Sequence, residues 1–233
     1  MIAEPHDSPL SPQPTRHLRV GWRTFLRLPY SGRLLAGGVI GGLPHGMTSL
    51  TLLLVVREEG GSYALAGVLV AVFSVGVAAG QPLLGRAIDR MGQTRPLVGS
   101  ATVAAAAYTI LCTGAVRAPA TAITAATIAG LATPPLDAAL RELWRSLMPT
   151  PETARAAHSL GSSGQQAIHV TGPLLVAAIS GGIGAEAALL TAGLTGLIGT
   201  LMIVTSPPSR AWRPSPARAT TWSAHCDPPV CGS

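Results

Sequence analysis

Apolar residues in this chain run in long unbroken stretches instead of alternating with polar ones. Six segments contain no Asp, Glu or Arg: 34–56, 60–85, 96–116, 118–136, 156–185 and 187–209. A bilayer core is crossed by about 20 helical residues, so each segment can hold a span, with 118–136 drawing on the residues that follow it. Strand-like alternation is absent, and backbone polar groups in lipid must be satisfied within their own segment, which leaves helices. The expectation is an all-α membrane protein with six transmembrane helices at 34–56, 63–85, 96–116, 119–140, 159–181 and 187–206. Residues 1–33 are polar and Arg-containing, and the first apolar run is already a full span, so no cleaved signal peptide is expected. The arginines of 16–33 interleave with Trp22, Phe25 and Leu26, a pattern suited to lying along the membrane surface. Periodic apolar pattern ends after Ser206, and 207–233 reads as a disordered tail rich in Pro and Arg.

Charge decides the orientation. All 16 basic residues are arginines. Arg16, Arg19, Arg23, Arg27 and Arg33 precede the first span, and Arg86, Arg90 and Arg95 lie between the second and third. Arg141, Arg145 and Arg155 fall between the fourth and fifth, and Arg210, Arg213 and Arg218 follow the sixth. Only Arg57 and Arg117 fall in the alternate connections. Fourteen arginines against two place both termini in the cytoplasm under the positive-inside rule, in a multi-pass protein of the inner (plasma) membrane. The net charge of +6 is then topological, and no nucleic-acid partner is needed to explain it.

Composition agrees. Charged residues are 11% of the chain and hydrophobic ones 48%, whereas a soluble domain carries about 25% charge. An ordinary soluble enzyme is excluded on that ground. Glycines four apart (Gly37–Gly41, Gly38–Gly42, Gly42–Gly46, Gly76–Gly80) are read as close helix packing within the bundle. Pro44, Pro82, Pro134, Pro135 and Pro173 fall in or near spans, where a bundle tolerates the kink. Cys226 and Cys231 have no accompanying ligand pattern, so neither a metal nor a cofactor is expected.

The connection between spans two and three reads Gly85-Arg86-Ala87-Ile88-Asp89-Arg90-Met91-Gly92-Gln93-Thr94-Arg95. In its Gly85, Asp89, Arg90, Gly92 and Arg95, and in its place in the topology, it resembles the signature loop of the major facilitator superfamily. Gln93 stands where that family usually has a basic residue. The stretch from Arg57 to Gly67, the end of span four from Pro134 to Trp144, and Gly172-Pro173 in span five are also similar to bacterial members. The glycine pair of the family's antiporter motif is absent after Pro173, and Arg141 lies near the cytoplasmic end of span four and not at its middle. The resemblance implies an N-terminal six-helix bundle of a secondary transporter or efflux protein, not an enzyme. It covers about half of a fold that normally has twelve helices or more. A truncated transporter that lacks its C-terminal half and is inactive alone is therefore expected, the alternative being a half-transporter that works as a homodimer. The loop residues are implied to gate, with Asp89 accepting hydrogen bonds from a neighbouring helix N-terminus and the arginines meeting membrane lipid.

Polar residues inside spans mark candidate solute paths. His45, Thr48 and Ser49 share a turn of span one, and Ser162, Gln165, Gln166 and His169 share a broad face of span five. These are the candidate cavity-lining groups for a small-molecule solute, with the histidines able to pass protons. Asp137 and Arg141 are spaced for a structural ion pair. A non-transporting membrane scaffold is the second reading. A third, an intramembrane serine protease, is suggested by Gly161-Ser162-Ser163-Gly164. It fails for want of a histidine on a later span to act as base.

Overall fold

The computed structural model describes residues 30–113, 118–147 and 151–211. The expectations for residues 16–29, for Arg117, and for the tail with Cys226 and Cys231 lie outside the described residues. All regular structure among the described residues is helical. We number the helices α1 (Ser31–Glu58), α2 (Tyr63–Met91), α3 (Thr94–Cys112), α4 (Pro119–Leu131), α5 (Leu136–Leu147), α6 (Pro151–Gly182), α7 (Ala185–Val204) and α8 (Pro207–Ala211).

Five stretches are long and apolar enough to cross a membrane: α1, α2, α3, Pro119–Arg145 and α7. Helix α6 has the length, at 32 residues, but its Gln165, Gln166 and His169 dilute its apolar character. The fourth stretch is not one continuous helix. It stops at Leu131 and resumes at Leu136, because Pro134 and Pro135 donate no backbone N–H and restrict the residues before them. Thr133 completes the break by bonding back to the Ala129 carbonyl at 2.8 Å. The second half, α5, is amphipathic: Leu136, Leu140 and Leu143 are buried, while Asp137, Arg141 and Arg145 are exposed.

Small residues set the packing. Helix α1 lies most extensively against α7, with Gly37 and Gly41 against Gly199. It also lies against α6, where Gly46 meets Ile168 and Gly172 backbone to backbone. Helix α2 meets α4 in the same manner, with Gly76 and Gly80 against Gly130 and Leu131. The four-residue glycine spacing is thus spent on contacts inside this chain. Helix α3 bridges α4 and α7. The α1–α6 and α4–α2 crossings exchange when α1, α2 and α3 are swapped for α4, α6 and α7, the relation produced by an internal structural repeat.

One apolar core, with Leu52, Leu69, Phe73, Leu111 and Leu189, fills the end of the bundle where α1 turns into α2. There Glu58 accepts the Ala185 N–H at 3.0 Å, placing a carboxylate on the positive end of α7. Arg57 stacks over the Tyr63 ring at 4.3 Å. A second core, with Leu34, Ile88, Leu97, Leu143, Trp144 and Ile203, fills the end that carries the α2–α3 turn.

Candidate functional site

Two cavities open at the α2–α3 end, and the amphipathic helix α5 forms a wall of both. The first, about 220 Å³, lies between α1, α5 and α6. Its apolar surface comes from Leu35, Val39, Leu140, Trp144 and Ile168, and its polar surface from Asp137, Arg141, Ser162 and Gln165. The second, about 510 Å³, lies between α2 and α5 and is lined by Gln81, Gly85, Asp89, Gln93, Asp137, Arg141, Glu142 and Arg145. Asp137 and Arg141 line both.

The charges here are not arranged as the spacing of Asp137 and Arg141 suggests. Asp137 sits in the first turn of α5, where the helix dipole favours a carboxylate, and it accepts a hydrogen bond from the side-chain amide of Gln165 on α6. Arg141 has no hydrogen-bond or ion-pair partner among the described residues. Among the described residues an ion pair forms instead between Arg145 and Glu142, at 3.7 Å. The expected Asp137–Arg141 pair therefore gives way to an inter-helix bond that leaves Arg141 without a partner among the described residues.

Of the loop residues, Gly85 and Asp89 line the second cavity. Asp89 has no bonded partner among the described residues, and Arg86, Arg90 and Arg95 are exposed beside it. Gly92 ends α2 with φ +83°, and its N–H bonds to the Ile88 carbonyl at 2.9 Å. The departure from the family pattern at Gln93 has a structural counterpart. Gln93 is 2% exposed. It donates to the Ala139 carbonyl on α5 at 3.2 Å and accepts from the Ser209 hydroxyl on α8 at 3.3 Å. One neutral amide thus ties the turn to α5 and α8, a role that a lone glutamine in a loop does not announce.

Of the span residues, Ser162 and Gln165 line the first cavity. His45, Ser49, Gln166 and His169 are exposed on α1 and α6, outside that lining. His45 interacts electrostatically with Asp137 and His169, and His169 Nδ1 lies 2.8 Å from the Gln165 carbonyl. Thr48 faces the other way: it is fully buried and bonds the Tyr108 hydroxyl at 2.8 Å. Gly172 makes the α1 crossing, and Pro173 follows it within α6. Ser163 is exposed, and the His169 of its own helix is engaged with Gln165. Arg141 and Trp144 were not singled out as cavity residues from sequence. The signal for them was present in 136–147, where apolar residues at 136, 140 and 143 oppose charged ones at 137, 141 and 145.

Compared with known families, residues 34–230 match the Major Facilitator Superfamily. No curated protein and no solved structure matches the chain.

Proposed function

This chain belongs to the major facilitator superfamily and is a multi-pass membrane protein of the transporter type, and from that premise we propose that it moves a small solute by secondary active transport through the cavities walled by α5. The observation that carries this reading is the sharing of Asp137 and Arg141 by both cavities. Costly charged groups near a bilayer are retained where a polar solute must pass, and broken spans are where transporters place such groups.

Helix α6 serves as the fifth of six spans. Its 32 residues reach about 48 Å, and its Gln165 meets Asp137. Both termini lie in the cytoplasm, so both cavities open inward. The exposed histidines His45 and His169, of which His45 interacts electrostatically with Asp137, are the groups for coupled protons. The turn holding Gly85, Asp89, Arg90, Gly92 and Arg95 gates the second cavity, with Asp89 bonding an element of a second six-helix unit. That unit is a further bundle or another copy of this chain, since the fold works as two bundles rocking about a central site.

Reconstitution into proteoliposomes tests the reading. Counterflow of a solute panel is measured with and without a pH gradient. Uptake of at least one solute above protein-free vesicles is expected, and a protein of full helical content that moves none sinks it.

A further inference from the structure

The geometry points to a dipolar solute: we infer that the first cavity binds a small zwitterion with an apolar side group, its carboxylate on Arg141 and its ammonium on Asp137. This rests on the transporter reading and narrows it to a substrate class.

The cavity itself states three requirements. It holds one carboxylate and one guanidinium, four residues apart on α5, so its lining carries no net charge but a strong local dipole. The two groups do not satisfy each other. Asp137 takes the Gln165 amide, a neutral donor, and Arg141 has no partner among the described residues. A guanidinium is a strong, geometrically selective donor to carboxylates, and Arg141 is exposed with its donors open to a solute. A simple anion would answer Arg141 but meet repulsion from Asp137 one turn away. A simple cation would do the reverse. Only a molecule carrying both signs meets neither penalty, and its ammonium replaces the Gln165 amide at Asp137. The remaining wall, with Leu35, Val39, Leu140 and Trp144, is apolar and suits a hydrocarbon side group. The size is the third. A cavity of about 220 Å³ admits a solute of amino-acid size.

The test is binding to the full chain in nanodiscs, by equilibrium dialysis of four probes that share one hydrocarbon group: L-leucine, 4-methylpentanoate, 3-methylbutylamine and 4-methylpentanamide. Leucine is expected to bind about tenfold or more tighter than each single-charge analogue, the loss usual for one charge-assisted bond. Arg141→Gln should reduce leucine to the level of the amine, Asp137→Asn to the level of the carboxylate, and Arg141→Lys should fall between. The probe series on the wild-type chain needs no variant to fold. The inference is overturned if the carboxylate or the amine binds as tightly as leucine, if none of the four binds, or if both charge-removing variants hold leucine unchanged. The two readings fail separately. Counterflow of other solutes without leucine binding removes the zwitterion site and leaves the transporter. Leucine binding as described, without movement of any solute, keeps the site and removes the transporter.

Discussion

The side-chain amide of Gln165 on α6 donates to the carboxylate of Asp137 in the first turn of α5. This bond joins the second half of a broken span to its long neighbour, and α5 meets α6 and α1 over only a small area otherwise. Gln165→Leu removes the donor while preserving most of the volume. The expected outcome is a stability loss of about 1 kcal/mol, since the carboxylate remains open to water. Faster amide exchange should be confined to α5. Pulse-labelled hydrogen exchange in nanodiscs reads both, and exchange that rises equally in α2 and α3 would contradict the local account.

The α1–α6 crossing gives a sharper stability test. A Cβ on Gly46 would fall on the Ile168 carbonyl, and one on Gly172 would lie 2.6 Å from the Gly46 carbonyl carbon. Neither obstacle is a flexible side chain. Gly46→Ala and Gly172→Ala should each cost about 1–3 kcal/mol by forcing the helices apart. Gly67→Ala and Gly99→Ala, which meet nothing within 4 Å, should be neutral or gain about 0.5–1 kcal/mol through helix propensity. Detergent-titration unfolding of the four variants in parallel decides it.

Much of this architecture was legible in the sequence because long apolar runs report helices directly, and α1, α2, α3 and α7 fall on such runs. The break at 132–135 was less visible. An apolar count registers side chains, whereas Pro134 and Pro135 act on backbone donors, so the run appears continuous through the interruption. The partner of Asp137 was beyond reach for a different reason: Gln165 lies 28 positions away on another helix, and spacing rules see only neighbours on the same one. Thr48 illustrates a third limit. It shares a turn with His45 and Ser49, about 60° and 100° round the helix from them, and it is buried where they are exposed. Sharing a turn is not sharing a face.

Gln93 offers a test of how the α2–α3 turn is held. Its amide serves the Ala139 carbonyl and the Ser209 hydroxyl, and it is nearly inaccessible to solvent. Gln93→Leu fits the space but satisfies neither group, at an expected cost of about 1–3 kcal/mol. Ser209→Ala removes only the hydroxyl and should cost less. A double variant no worse than Gln93→Leu alone would show that the two residues act through one bond, and strict additivity would count against it.

Two glycines of the same turn separate backbone demand from function. Gly92 has φ +83° and ψ 171°, a region open almost only to glycine, so Gly92→Ala should cost about 1–3 kcal/mol. Gly85 lies within α2, and a Cβ there meets nothing within 4 Å. Gly85→Ala should therefore leave unfolding unchanged or slightly delayed. If it nevertheless slows counterflow, the reason for glycine at 85 is close approach of a second unit and not the fold of this one. Thermal unfolding followed by circular dichroism, beside transport rate, gives the two readouts.

Asp89 carries the strongest functional prediction of the turn. Its carboxylate lines the second cavity and has no bonded partner among the described residues. Nothing in this bundle loses a contact when its charge is removed, so Asp89→Asn should shift unfolding by less than about 0.5 kcal/mol. Transport should respond quite differently. A carboxylate that bonds a helix N-terminus of a second unit in one conformation, and releases it in the other, biases a two-state equilibrium by about 1–3 kcal/mol. Losing it should alter the counterflow rate by roughly tenfold while leaving equilibrium binding of the solute to the first cavity nearly unchanged. Glu at the same position, which keeps the charge on a longer arm, should recover part of the rate. An Asp89→Asn protein that transports at the wild-type rate would remove the gating role from this loop, and one that unfolds early would assign it to stability instead.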